Sequence, residues 1–386
     1  MTSLLVIIVL LLLSVALWQL TKIFDLSQVG SSKNSSGVAD DNDNNIQGYL
    51  MFGFLAFMYI FTIYGLIKWG GFVLHTPASA HGGEIDNLMN ITWVVIFFVQ
   101  AITQALLYYF GFKYRGRKDQ TALYFSDNNK LEVIWSVIPA IVLAGLILYG
   151  LYAWSDIMFI DKDEEVIEIE LYAQQFNWKA RYSGEDNVLG KANVRYIEGV
   201  NSVGVDPADP NSQDDKVVTE LHIPKGKKIH FKMRSQDVLH SAYMPYFRAQ
   251  MNVVPGMVTE FAYTPIYTSD EYRNLPYMIE KVNYINSIRT KKSAELVAMG
   301  QPALDPYTFE FLLLCNKICG ASHYNMQMKI VVDTPEDYKK WLNEKPSFSE
   351  ELKTAAAAPA TDANAKGKDT TASVASNKMM AQVEKK

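Results

Sequence analysis

The chain has 386 residues, 49% of them apolar and only 20% charged, below the ~25% charged of ordinary soluble domains. That length allows two or three domain-sized units, and the balance excludes a disordered or collagen-like chain. A net charge of −5 (36 Lys+Arg against 41 Asp+Glu) excludes a basic nucleic-acid binder; 2 Cys and 6 His exclude a disulfide-dense scaffold, and no Cys-x-x-Cys-His run is present to attach a haem covalently.

In chain order, four stretches lack any charged residue: 1–21, 44–67, 87–112 and 133–155. Each reaches the ~20 residues that a helix needs to cross the hydrocarbon layer. Lipid offers no partner for backbone N–H and C=O groups, so each is expected to be a membrane-spanning helix. Trp69, Trp93, Tyr114, Trp135 and Trp154 lie near the ends of these runs, where amphipathic rings prefer the headgroup layer. Lys113, Arg115, Arg117, Lys118 and Lys130 fill the loop between the third and fourth runs, which places that loop in the cytoplasm. Everything after Asp156 is then outside, 22–47 is inside, and the N-terminus is outside. The first run has no basic residue before it and is long, so it is expected to be retained as a helix rather than cleaved as a signal peptide. Ala78-Ser79-Ala80 has the small residues of a cleavage site but lies far beyond its apolar run, and is expected to stay intact.

From Asp156 the pattern turns to β. Segments 166–171, 218–223, 228–232, 259–263, 307–314 and 328–332 read as short strands broken by Pro and Gly turns, which predicts a sandwich or Greek-key barrel. Thr334-Pro335-Glu336-Asp337 carries a capping hydroxyl, Pro at the first helical position and acid in the first turn, predicting a helix to about Leu342. Segment 183–216 is loop-like, 266–304 is mixed and partly helical, and the Ala/Thr/Lys-rich tail is expected to be disordered. Asp206, Asp209, Asp214 and Asp215 read as a solvated loop, with steering of a basic partner as the alternative. The expected organisation is 1–47 and 48–80 (two N-terminal helices), 81–156 (a transmembrane hairpin), 157–349 (the β domain) and 350–386 (the tail).

The chemistry concentrates in Cys315-Asn316-Lys317-Ile318-Cys319-Gly320-Ala321-Ser322-His323-Tyr324-Asn325-Met326. Two thiols, an imidazole and a thioether within one short run form a soft, copper-suited donor set. His240, in Asp237-Val238-Leu239-His240-Ser241 and expected at the end of a strand, completes it. A mononuclear blue-copper site needs one Cys, whereas two thiolates can bridge two metals. His240 and His323 would then serve one copper each, Met326 one axial position, and the backbone carbonyl of Lys317 the other. A disulfide or a zinc site uses some of these residues, but neither explains the whole run.

With these motifs the sequence resembles subunit II of haem–copper cytochrome c oxidase, over roughly residues 80–345. His81-Gly82 with Ile85-Asp86, the run Leu131-Glu132-Val133-Ile134-Trp135, Gln175-Phe176-Asn177-Trp178, Ile223-Pro224-Lys225-Gly226, Asp237–Ser241 and Pro255-Gly256 carry the likeness alongside the Cys/His/Met run. The resemblance implies a cupredoxin-like Greek-key barrel on the outer side of a bacterial inner membrane, carrying a dinuclear copper A centre. It implies electron transfer from cytochrome c or a cytochrome domain to haem in subunit I, with oxygen reduced and protons translocated, among other oxidase subunits and membrane lipid. It implies electron-relay roles for Phe176, which stands where the family has Trp, and for Trp178, and a proton-path entry at Glu132. Lys317 stands where the family has Glu, whose carboxylate binds a Mg or Mn ion. The copper contact through the carbonyl is expected to survive, and the Mg or Mn site to be lost or altered. The alternatives are a membrane-anchored copper-binding protein or chaperone, which should have an open Met-rich site, and a quinol-oxidase-type subunit II, which should lack the copper ligands.

Overall fold

The computed structural model describes residues 2–29, 41–118, 120–160 and 164–357. They fall into a helical unit, formed by residues up to Thr76 together with Gly83–Asp156, and a β unit, formed by Pro77–Gly82 and the chain from Ile157 onward.

The helical unit contains α1 (Thr2–Val29), α2 (Asp41–Trp69), α3 (Gly82–Lys113) and α4 (Asn129–Met158). Among the described residues three helices are long and apolar enough to cross a membrane, Asp41–Phe72, Gly82–Lys113 and Asn129–Met158, and α1 contributes a shorter apolar stretch, Ile8–Phe24. Their exposed side chains include many large apolar ones, as with Ile67, Val94 and Leu148, which suits lipid rather than water. Gly48 of α2 lets the Phe112 ring of α3 approach so closely that a Cβ there would lie 2.4 Å from it. Polar groups gather at one end of this packing: Lys22 pairs with Asp43 at 3.3 Å, Arg115 Nε donates to Asn45 Oδ1 at 2.7 Å, and the Lys118 N–H donates to Asp41. The start of α2 and the end of α3 therefore lie at the same level.

The β unit holds two five-stranded sheets. The first has the order β3-β2-β1-β5-β8, from Lys216–Val218, Asn177–Tyr182, Val166–Gln174, Lys228–Ser235 and Thr259–Tyr263. The second has the order β4-β10-β9-β6-β7, from Leu221–Pro224, Gln327–Asp333, Phe311–Cys315, His240–Met244 and Ala249–Val253. Pairings β1–β5 and β4–β10 are parallel and the rest antiparallel. Period-two alternation sets the faces: Ile229, Phe231 and Met233 of β5 are fully buried, while Lys228, His230 and Lys232 between them are not. Met328, Ile330 and Val332 do the same on β10.

Several expectations change on folding. The single strand expected over 218–223 is two: the chain leaves β3 in the first sheet, bends at 219–220 and enters β4 in the second. Strands β2, β6 and β7 carry no clean alternation and were not among the segments expected as strands, although His240 was placed at the end of one. On β2, Arg181 is buried because its guanidinium is paired, with Glu170 at 2.5 Å and Asp215 at 3.0 Å. The mixed segment is α5 (Ser269–Arg273), begun by a Thr268/Glu271 capping box, and a long α6 (Pro276–Ala298). The helix α7 (Pro335–Asn343) starts where predicted, with the Thr334 side chain accepting from the Asp337 N–H. The tail expected to lack structure from 350 is helical in its first part: α8 (Phe348–Ala357) buries Phe348 beside Tyr172, Val203 and Val205, with Leu352 packed against them. The remainder, 358–386, lies outside the described residues.

The acidic loop is a scaffold. Asp215 is fully buried and accepts from Arg181 and the Gly190 N–H, Asp214 accepts from the Glu185 N–H, and Asp209 from the Lys191 N–H. Burial pushes Asp215 up to about 7 against the pull of Arg181. Residues 77–82 are stitched into the β unit: Ala78 and Ser79 are buried, the Ala78 N–H donates to Tyr246 O, and the Ala80 N–H to Thr264 O.

Candidate metal centre

The second sheet builds the site. Strands β9 and β10 form a hairpin in which the Cys315 N–H donates to Met326 O at 3.0 Å, so the ends of the Cys/His/Met run lie side by side. Strand β6 pairs antiparallel with β9, Ala242 opposite Cys315. His240, two residues back from Ala242, therefore overhangs the start of the loop. It opens β6 rather than closing a strand, which corrects the expected placement.

Within the run, Cys315 and Cys319 are free thiols with Sγ atoms 3.8 Å apart. His240 Nδ1 lies 3.7 Å from Cys315 Sγ, and His323 Nδ1 lies 3.5 Å from Cys319 Sγ. Met326 Sδ is 3.7 Å from Cys319 Sγ, and Lys317 O is 3.3 Å from Cys315 Sγ. Ligand atoms of His240, Cys315 and Cys319 all lie within 4.8 Å of one another, with His323 attached through Cys319. His240, Cys319 and Met326 are buried, Cys315 and His323 half-buried, and the Lys317 side chain points to solvent. Burial, then the neighbouring Cys315 thiol, push Cys319 up to about 11, so binding a metal there displaces a proton. His240, Cys315 and Cys319 could hold a metal ion, and two thiols with a thioether and imidazoles close by make a soft donor set of the kind that suits copper.

The supporting residues were not legible as such in the sequence. His240 Nε2 shares a 2.8 Å hydrogen bond with Asp237 Oδ1, which turns Nδ1 toward the sulphurs. Burial alone would raise Asp237, but hydrogen bonds from His240 and from the Gln175 and Val238 N–H groups outweigh it and hold the carboxyl below its ordinary value. The Gln175 side chain donates to Cys319 O. An acid three residues before a ligand His is the sequence signal for Asp237; Gln175 has none.

Trp178, fully buried on β2, sets its ring edge-on to His240 with centroids 6.2 Å apart. Phe176 occupies the β1–β2 turn, half-buried, with ring carbons against Gly320. Trp178 thus lies beside His240 and Phe176 beside the Cys315–Met326 loop. Glu132 lies in the first turn of α4, in the helical unit, where the helix dipole favours an acid.

A family model described as cytochrome C oxidase subunit II, transmembrane domain, matches residues 67–153. The alternative cytochrome c oxidase subunit 2 of Bradyrhizobium diazoefficiens is 33% identical over 276 residues, covering 71% of this chain and 84% of that protein. The cytochrome c oxidase subunit 2 of Mycobacterium bovis is 25% identical over 279 residues, covering 64% of this chain and 67% of that protein. Among solved structures, the periplasmic domain of subunit II of cytochrome oxidase from Bradyrhizobium japonicum matches with a TM-score of 0.28 and 15% identity, over 51% of this chain and 99% of that one. The extended match to the Bradyrhizobium diazoefficiens protein, reaching well beyond the helical hairpin that the family model covers, establishes that this chain belongs to the cytochrome c oxidase subunit 2 family.

Proposed function

We propose that this chain is the electron-entry subunit of a respiratory oxidase, taking electrons from cytochrome c or a cytochrome domain and passing them to haem in subunit I for oxygen reduction coupled to proton translocation. The observation that carries this reading is the unbridged Cys315–Cys319 pair with a different imidazole Nδ1 against each sulphur. Such a set would hold a dinuclear copper centre through Cys315, Cys319, His240 and His323, with Met326 and the Lys317 carbonyl within reach as weaker donors. When bound, that centre supplies a one-electron relay whose charge is shared by two metals, so little geometry changes on transfer.

The chain's own residues hold that geometry and wire it to the outside. Asp237 keeps the proton on His240 Nε2 and leaves Nδ1 free as a donor. Trp178 and Phe176 offer π surface beside His240 and beside the ligand loop. Glu132 is read as the entry to a proton path, and Glu132→Gln is expected to slow turnover of the holoenzyme while leaving the copper spectrum unchanged.

We read α1 as a fourth spanning helix and the two sheets as a cupredoxin Greek key outside a bacterial inner membrane. The shared level of Lys22, Asp43, Asn45 and Arg115 supports putting the 22–47 and 113–130 loops on one side, which the Lys/Arg excess of the second marks as cytoplasmic.

The test is copper content with an EPR spectrum on the purified full chain after loading. Two coppers per chain with a delocalised mixed-valence signal are expected. One copper with a localised signal, or a Cys315–Cys319 disulfide that refuses metal, overturns the reading.

A further inference from the structure

The proposed ligands His240, Cys315, Cys319, His323 and Met326 all belong to the second sheet and its loops, yet a turn of the first sheet, with Gln175 exposed and Phe176 half-buried, lies against them. Gln174 pairs with Asn177 across β1 and β2, leaving Gln175 and Phe176 as a two-residue turn at the site. The Gln175 backbone N–H donates to Asp237 Oδ2 at 2.7 Å. The other oxygen of that carboxylate, Oδ1, accepts from the Val238 N–H at 2.7 Å and holds His240 Nε2 at 2.8 Å. The Gln175 side-chain amide donates to the carbonyl of Cys319. Phe176 closes the same contact: a Cβ built on Gly320 would lie 2.9 Å from Phe176 Cε1 and Cζ and 2.9 Å from Gln175 Nε2. One residue thus grips both ligand-bearing segments, His240 through Asp237 and the Cys319 loop directly.

We propose that Gln175 is a positioning residue for the metal centre, fixing the Cys319 loop relative to His240 across the seam between the two sheets. The inference rests on the copper reading of the site. Its physical basis is that ligands hold a set geometry only when their own supports are locked. The backbone hydrogen bonds inside the Cys315–Met326 loop lie after Cys319: His323 N–H to Gly320 O, Asn325 N–H to Ser322 O and Met326 N–H to His323 O, while before it the Cys315 N–H meets Met326 O and the Asn316 N–H meets Ser241 O. The Gln175 amide pins the carbonyl of Cys319, before those bonds begin. Donation to the Cys319 carbonyl also draws electron density from the peptide adjoining that thiolate, so its loss alters the electronics of the centre as well as its placement.

The test compares the full chain in detergent with Gln175→Leu, which fills similar space without a donor, and Gln175→Glu, which keeps the shape but sets an oxygen against the Cys319 carbonyl. Both variants are expected to fold with the parent's melting behaviour and to take up two coppers. They are expected to release copper to a chelator roughly tenfold faster or more, with a changed copper hyperfine pattern and a shifted midpoint potential. In the metal-free chain, amide hydrogen exchange over 316–322 is expected to quicken in both. Release, spectrum, potential and exchange equal to the parent's would overturn the proposal, and so would loss of folding in both variants. A parent chain that fails to take two coppers defeats the copper reading instead, and the metal-free exchange then still decides whether Gln175 positions the loop.

Discussion

Asp237 Oδ1 lies 2.8 Å from His240 Nε2, on the far side of the ring from Nδ1, which faces Cys315 Sγ at 3.7 Å. The carboxylate thereby selects which nitrogen is offered to a metal. Outer-shell partners of this kind change metal affinity by roughly 10–100-fold when removed. Asp237→Ala should lower copper affinity within that range, measured by competition with a chelator, and Asp237→Asn should recover part of it because an acceptor oxygen remains. Equal affinity in Asp237→Ala would show that packing alone orients the imidazole.

Lys317 meets the thiols only through its carbonyl, 3.3 Å from Cys315 Sγ, while its side chain is exposed. Lys317→Ala should therefore leave copper stoichiometry and the EPR spectrum of the loaded chain as they were. Metal analysis of the holoenzyme should find no stoichiometric Mn bound at this position, since an ammonium cannot ligate a cation. Stoichiometric Mn would refute that consequence of the Glu-to-Lys departure.

Gly320 has φ +138 and no room for a side chain, with Phe176 and Gln175 atoms 2.9 Å from where a Cβ would stand. Gly320→Ala should displace the turn or the loop and cost about 1–3 kcal/mol, as overpacking does. Thermal unfolding and copper retention both report it. A variant that melts and holds copper like the parent would mean that the turn yields without strain.

Glu168, on the outer face of the first sheet, accepts from Lys232 Nζ at 2.8 Å and faces His230 Nδ1 at 3.5 Å. The His230 hydrogen bond, with further help from Lys232, outweighs burial and lowers the Glu168 carboxyl from 4.5 to about 2. A carboxylate depressed on folding stabilises the folded state above its unfolded value, and this contribution disappears as pH falls from about 4.5 to about 2. Because the group is partly solvated, screening reduces its worth to about 1 kcal/mol. Glu168→Gln should lower stability at pH 7 by that amount and converge with the parent near pH 2, in denaturant titrations at both pH values. A constant difference across that range would assign the effect to packing.

The apolar runs within α2, α3 and α4 were legible because some twenty uncharged residues in succession have one favourable environment, and that needs no knowledge of neighbours. Strands β5 and β10 were legible for a related reason: each has one buried face, and period two writes it into the chain. Strand β2 was not, because Arg181 occupies a buried position that only Glu170 and Asp215 make tolerable. Helix α8 was missed because its anchoring is tertiary: Phe348 and Leu352 find their partners on β1 and in the 183–216 loop.

The metal centre divides along the same line. Residue type and spacing alone named the donors, since five of the six proposed donors lie in one short run and soft ligands are chemically distinctive. That Cys315 and Cys319 stay apart while His240 and His323 take different sulphurs was decided by the β9–β10 hairpin and its pairing with β6. The grip of Gln175 on Asp237 and Cys319 spans 62 and 144 residues. No local pattern encodes such contacts. They exist only once the two sheets have formed and the β1–β2 turn lies against the ligand loop.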